Sequence, residues 1–162
     1  MNTFDSEGIR KILVAYDFSK QADNALDFGV DLARRIGAEI VLITVVNPRD
    51  IEAIEQAVNR TLLVDVDAHP EKQVRQFLEE RIEQLKDRIS NLPSPHPVIR
   101  PLVRSGLPHE ELMAEAVKVD LVVMGARGKK SALREALVGS TAEKLFHLCP
   151  VPVLSVRLRG EA

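Results

Sequence analysis

The sequence predicts an α/β fold: an open, doubly wound, five-stranded parallel sheet with helices on both faces. Three observations carry this. Apolar runs of strand length recur at residues 12–16, 39–46, 98–103, 121–124 and 151–156. These runs are nearly continuous rather than alternating, which signals burial on both faces of the sheet. Helical periodicity fills most of the intervals, and strands that alternate with helices form parallel βαβ units with right-handed crossovers. At 162 residues the chain is long enough for one well-buried core and too short for two ordinary domains, so residues 1–162 are read as a single domain.

The first strand ends in the turn Asp17-Phe18-Ser19. Ser19 is placed to cap a helix whose apolar positions Ala22, Ala25, Leu26, Gly29, Leu32 and Ala33 repeat at helical spacing until Gly37 ends it. After the second strand, the crossover from Asn47 to Pro97 is long, with a short helix around residues 50–60 and a stronger one over residues 70–91. In the latter, Val74, Phe77, Leu78, Ile82, Leu85 and Ile89 make an apolar stripe, while Glu79, Glu80, Arg81, Glu83, Lys86 and Asp87 read as a solvated face. Residues 59–69 fit neither helix nor core; they either cover a cleft or partner, or form a mobile connector. Pro93, Pro95 and Pro97 make a stiff surface loop before the third strand. Pro150 and Pro152 place the last strand at a sheet edge, since proline cannot donate to a ladder. Its apolar residues Val151, Val153, Leu154 and Val156 are hazardous if exposed and usable for association.

The fourth strand carries the most informative pattern: Asp120-Leu121-Val122-Val123-Met124 runs into Gly125-Ala126-Arg127-Gly128 and then Gly139-Ser140-Thr141. Glycine lets an anion approach the backbone, so Gly125 and Gly128 are candidates to turn N–H groups towards phosphate oxygens, with Arg127 adding positive charge. Ser140 and Thr141 precede the helical pattern Ala142, Leu145, Phe146 and so stand at a helix N-terminus, where a hydroxyl either caps the helix or binds an anion. The spacing fits neither the Walker A loop nor the dinucleotide glycine fingerprint.

At this point the chain resembles the universal stress protein family, whose nucleotide-binding branch carries G-x-x-G, nine residues, then G-[S/T]; here ten residues, 129–138, separate Gly128 from Gly139. The extra residue falls within 129–132, beside the expected outer phosphates. The resemblance extends over nearly the whole chain. Ile12-Leu13-Val14-Ala15-Tyr16-Asp17-Phe18-Ser19 looks like the family's first strand and Asp-x-Ser turn, continued by Ala25, Ala33 and residues 40–45. Val103-Arg104-Ser105-Gly106-Leu107-Pro108 resembles the family's fourth-strand exit, and Cys149-Pro150-Val151-Pro152-Val153-Leu154-Ser155-Val156 its final strand.

In an open parallel sheet, ligands sit beyond the carboxyl ends of the strands where the crossover direction reverses. The resemblance puts that point between the first and fourth strands. Ionised Asp17 only accepts hydrogen bonds, so it suits ribose hydroxyls or the adenine amino group; its alternative role is to organise its own turn. By residue-wise carry-over, backbone groups of Ala15, Tyr16 and Val45 would flank the base, and Met124 and Gly125 would contact the nucleoside. Arg127, Gly128, Gly139, Ser140 and Thr141 would hold the phosphates. The Tyr16 ring, larger than the family's usual residue there, either lines or narrows the base pocket. The cofactor implied is ATP or another adenine nucleotide, with Mg expected only as the partner of a bound triphosphate, since no carboxylate cluster is present to hold it.

Composition removes several other classes. Net charge is −2 with acidic and basic residues mixed, so there is no electrostatic footprint for nucleic acid. No apolar run has membrane-spanning length and no leader pattern is present, so a cytoplasmic location is expected. Cys149 is the only cysteine, excluding an intramolecular disulfide, and His69, His96, His109 and His147 lack the spacing of a helical zinc site. The resemblance further implies a homodimer paired through the C-terminal strand. The first functional reading is a stress-response regulator whose conformation or partner choice follows ATP occupancy. The alternatives are a nucleotide-free interaction protein and a slow ATPase, the latter without an evident general base.

Overall fold

The computed structural model describes residues 8–61, 69–126 and 140–157. Five parallel strands, β1 (Lys11–Ala15), β2 (Glu39–Val46), β3 (Ile99–Ser105), β4 (Leu121–Gly125) and β5 (Val153–Val156), lie in the order β3-β2-β1-β4-β5. The helices are α1 (Lys20–Ile36), α2 (Pro48–Thr61), α3 (Pro70–Ser90), α4 (Pro108–Ala116) and α5 (Ser140–Leu148). The doubly wound parallel sheet is therefore present, with the chain winding outwards through β2 and β3 and then through β4 and β5 from a central β1.

Alternation along the central strands sorts side chains into two cores. Ile12, Val14, Ile40, Leu42, Leu121 and Val123 pack with Ala22, Ala25, Leu26, Val30 and Ala33 of α1 and Leu85 of α3. Leu13, Ile43, Val122 and Met124 pack instead with Leu112 and Ala116 of α4 and Ala142 and Leu145 of α5. Strand β1 is sealed between both layers, with Ile12, Leu13 and Val14 each at 0% exposure. Its entry is held by the Asp120 carboxylate, which accepts the backbone N–H groups of Arg10 and Lys11 at 2.9 and 2.8 Å.

Local rules explain the ends of α1. The Ser19 hydroxyl accepts the Ala22 N–H at 3.1 Å, and Gly37, at φ 74°, takes the left-handed conformation that closes the helix. Helix α2 is longer than the sequence suggests, since residues 59–61 complete it instead of joining the irregular segment; the expectation for 62–68 lies outside the described residues. The segment Val103–Pro108 leaves the third strand of this chain rather than the fourth, because β3 pairs with β2 at the opposite edge from β5. There Glu115, buried on α4, accepts Arg104 of β3 and Lys118 at 2.6–3.0 Å. Burial by itself would raise this carboxyl, but the two cations outweigh it and hold it below the usual range.

Helix α3 is docked lightly for its length, with Leu85 as its only buried residue. One cation of the solvated face, Arg81, also leaves it. Arg81 is half-buried over the Phe18 and Phe77 rings, and Arg88 reaches α1. Leu85→Ala is expected to cost about 2–5 kcal/mol, the usual range for emptying a fully buried leucine site, read as a fall in the midpoint of urea unfolding.

Candidate functional site

The sheet register assembles the carboxyl edge. Ile12, Leu13 and Val14 stand opposite Leu121, Val122 and Val123, so the exits of β1 and β4 are neighbours. Ala15 stands opposite Ile43, and the Tyr16 N–H continues that ladder to the Ile43 carbonyl at 2.8 Å, which sets Asp17 level with Val45. Ala15, Tyr16, Asp17, Val45, Met124 and Gly125 thus lie along one edge of three adjacent strands. Crossovers leave β1 and β4 to opposite sides here, which makes this the switch point of the sheet. Thr141 stands in the first turn of α5, followed by Ala142 in the same core as Met124. Arg127, Gly128 and Gly139, together with the extra residue of 129–132, lie outside the described residues.

The Asp17 turn has a distinct geometry. Asp17 Oδ1 accepts the Ser19 N–H at 3.1 Å, so the carboxylate does organise its own turn. Between them Phe18 sits at φ 62°, the left-handed region, where a bulky residue is an outlier costing on the order of 1–2 kcal/mol. Such a conformation persists only where its surroundings hold it, and these are visible. The Phe18 ring meets the Tyr16 ring edge-on at 5.0 Å, and the Arg81 guanidinium lies 5.2 Å from its centroid.

Gly125 is required for a different reason from the one its motif suggests. It is an extended strand residue opposite Val156, not a positive-φ glycine. A Cβ there would stand 2.9 Å from Gln21 Cβ and 3.0 Å from the Gln21 backbone carbon, so its bareness lets the first turn of α1 close onto β4. The N–H groups of Val122 and Ala126 point to β5. By strand alternation the Gly125 N–H lies on the β1 side of β4.

Tyr16 divides its roles between backbone and side chain. The residue is 6% exposed and its ring lies in the α1/α3 layer, on the opposite face from Ala15, Val45 and Met124. The hydroxyl donates to Asp23 Oδ1 at 2.6 Å, and Arg88 donates to Asp23 at 2.8 Å and to Asp27 at 2.9 Å. Burial, then the hydrogen bond to Asp23, pushes the Tyr16 hydroxyl up to about 12. Asp23 itself is held low: burial opposes this, but the Tyr16 and Arg88 hydrogen bonds prevail. Neither Asp23 nor Arg88 stands out in the sequence. The available signal was spacing, since Arg81, Leu85 and Arg88 recur at four and three residues and therefore share one helical face.

Elsewhere, a cavity of about 740 Å³ beside α2 and α3 is lined by Glu55, Asn59, His69, Glu71, Lys72 and Arg75. Among the described residues it shares none with the carboxyl edge. Among the described residues no group of His, Cys, Asp or Glu is arranged to hold a metal ion.

Two outcomes follow. Gly125→Ala is expected to destabilise the fold by about 1–3 kcal/mol, since the clash falls on Gln21 Cβ and the adjoining backbone, which cannot swing aside, measured by chemical denaturation. The raised Tyr16 pKa means that the folded state binds this proton more tightly than the unfolded chain. Its stabilisation is complete below pH 10 and is lost as pH rises towards about 12. The loss should be on the order of 2–3 kcal/mol, and Tyr16→Phe should flatten that part of the stability profile. Tyr16 is the only tyrosine, so ultraviolet tyrosinate absorbance reads its titration directly.

Comparison with known proteins agrees with this architecture. The profile of the universal stress protein family matches residues 8–157. The chain is 30% identical over 161 residues to the universal stress protein MJ0577 of Methanocaldococcus jannaschii, across 93% of this chain and 96% of that one. It is 31% identical over 150 residues to the universal stress protein YxiE of Bacillus subtilis, across 91% and 98%. The solved structure of MJ0577 matches with a TM-score of 0.73 at 27% identity, over 94% of this chain and 98% of that one. Two more distant structures share the fold. One is a universal stress protein in complex with cAMP, with a TM-score of 0.55 at 19% identity over 92% of this chain and 97% of that one. The other is a universal stress protein family protein from Arabidopsis thaliana with AMP bound, with a TM-score of 0.56 at 14% identity over 94% of each chain. With the profile spanning residues 8–157 and a 30% identical relative aligned along its length, the chain belongs to the universal stress protein family.

Proposed function

We propose that this protein binds ATP or another adenine nucleotide at the carboxyl ends of β1 and β4, and that occupancy sets its action as a dimeric stress-response regulator. The observation that carries this reading is the convergence, at the switch point, of the Asp17 carboxylate, the Gly125 N–H and the start of α1. A carboxylate has two oxygens and about four acceptor positions, so organising the turn is compatible with accepting a ribose hydroxyl. In this reading Ala15, Tyr16 and Val45 flank the base with backbone groups, and Met124 and Gly125 contact the nucleoside. Arg127, Gly128, Gly139, Ser140 and Thr141 hold the phosphates, with Mg entering only alongside triphosphate. The cAMP and AMP complexes of the two distant relatives support an adenine nucleotide as the ligand class.

Association through β5 belongs to the same reading. The carbonyls of Pro152 and Val156 accept from β4, so by alternation the backbone groups of Val153 and Ser155 point to the open edge. Phe146 and Leu148 of α5, immediately before this strand, are 45% and 63% exposed.

Calorimetric titration of ATP, with and without magnesium, into protein freed of carried-over nucleotide tests the site. Saturable binding is expected, weakened about tenfold or more by Asp17→Ala, as for loss of a charged hydrogen bond, and weakened also by Gly128→Val. Unchanged affinity in both variants rejects the site, and no heat at several temperatures leaves the nucleotide-free reading. Ser155→Pro removes an outward N–H without touching the β4 ladder, so sedimentation should show a shift from dimer to monomer; an unchanged dimer places the interface elsewhere.

A further inference from the structure

Helix α3 contributes nothing to the strand edge that forms the candidate site, yet it grips the turn that carries Asp17 at two points. The first is polar. Arg88 donates to Asp23 and Asp27 of α1, and Asp23 Oδ1 accepts both Arg88 and the Tyr16 hydroxyl, at 2.8 and 2.6 Å. Tyr16 directly precedes Asp17. The second is aromatic. Arg81 lies over Phe18, which directly follows Asp17 and is held at φ 62°, and the same guanidinium lies 4.7 Å from the Phe77 centroid. Asp17 is therefore flanked in sequence by two residues whose side chains both answer to α3.

The two contacts are not generic helix docking. Leu85 is the one fully buried residue of α3, with Ile89 packed against the same core, and Arg81 and Arg88 lie four residues before and three after Leu85 on the same face. Arg88 is only 23% exposed, and the two carboxylates it joins lie one helical turn apart on α1, so losing it would leave them facing each other without their cation. A left-handed phenylalanine has lower-energy alternatives as soon as its packing is released. Moving Phe18 out of that region redirects the chain on either side of it, and Asp17 with it.

We propose that Arg88 and Arg81 are positioning residues for the nucleotide: acting through Tyr16 and Phe18, they fix the β1–α1 turn so that Asp17 meets the nucleoside. This rests on the nucleotide-binding reading above. It makes α3 the element through which a change elsewhere on the crossover reaches the site. The chain has one tyrosine and no tryptophan, so intrinsic fluorescence reports on Tyr16 and hence on this relay.

The test uses the full chain carrying Arg88→Met, Arg88→Lys or Arg81→Gln, each first shown to be folded by cooperative denaturation. ATP affinity in Arg88→Met and Arg81→Gln is expected to fall about tenfold, a coupling typical of residues in one network, and Arg88→Lys should recover part of it. The fall should be equal for uncharged adenosine. A loss seen with ATP alone would make the effect one of distant charge and overturn the proposal. In an Asp17→Asn background Arg88→Met should add almost nothing, because the residue it positions has already lost its charge. A full additional loss there, or folded single variants that bind within twofold of the parent, would also overturn it. Without nucleotide, Tyr16 fluorescence and the amide resonances of Phe18 and Ser19 should shift in Arg88→Met. If the parent protein binds no nucleotide, the functional reading fails while these ligand-free signals still decide whether α3 holds the turn: displaced resonances support it and unchanged ones refute it.

Discussion

Strand β1 has no solvent face and no free edge. It is flanked by β2 and β4 and covered by α1 and α3 on one side and by α4 and α5 on the other. Every backbone group of such a strand must find its partner within the protein, because an unsatisfied buried N–H or C=O costs as much as a lost hydrogen bond. The strand can therefore slide in neither direction without losing both ladders and exchanging its two sets of side chains between cores. Asp120 reinforces this from the entry side by accepting the Arg10 and Lys11 N–H groups. With β1 fixed, the position of its exit turn is fixed, and so is the crevice where the crossovers part.

At that exit the structure gives up local ease for position. Phe18 occupies a left-handed conformation that its side chain disfavours, and Gly125 leaves out a Cβ so that Gln21 can approach. Both departures from ordinary strand and helix geometry bring the start of α1 against the end of β4. The result is a rim on the β1 side that brings together the Asp17 carboxylate, the capped start of α1 and Gly125. The Tyr16 hydroxyl, Asp23 and Arg88 extend that rim outwards to α3, converting three half-buried polar groups into one satisfied network.

The fold class, the strand pattern, the capping of α1 by Ser19 and Gly37 and the family were all legible in the sequence, because each depends on residues close together in the chain. Readings that depended on distant partners fared less well. Arg81 looked like one charge among many on a solvated helix face, and only the docking of α3 shows it lying over Phe18. Gly125 read as part of an anion cradle, whereas its need for glycine comes from Gln21, more than a hundred residues earlier. From sequence the Tyr16 ring either lines or narrows the base pocket; strand alternation sends it into the α1/α3 layer instead. The segment Val103–Pro108 resembles a fourth-strand exit yet leaves the third strand, since local motif similarity carries no information about which strand a segment follows.

By itself the sequence determined which segments form strands and helices, that the strands are parallel and covered on both faces, and which family the chain resembles. These follow from periodicity, capping chemistry and motif order, all of which are local. The tertiary structure decided which faces the side chains take, that β1 and β4 end side by side, and that α3 reaches back through Arg81 and Arg88 to the residues flanking Asp17. Those facts depend on sheet register and helix docking, where groups 60 residues and more apart, such as Asp23 and Arg88, become hydrogen-bonded neighbours. No pattern of spacing along a chain specifies such pairs, because the energy that selects them arises only once both cores have closed.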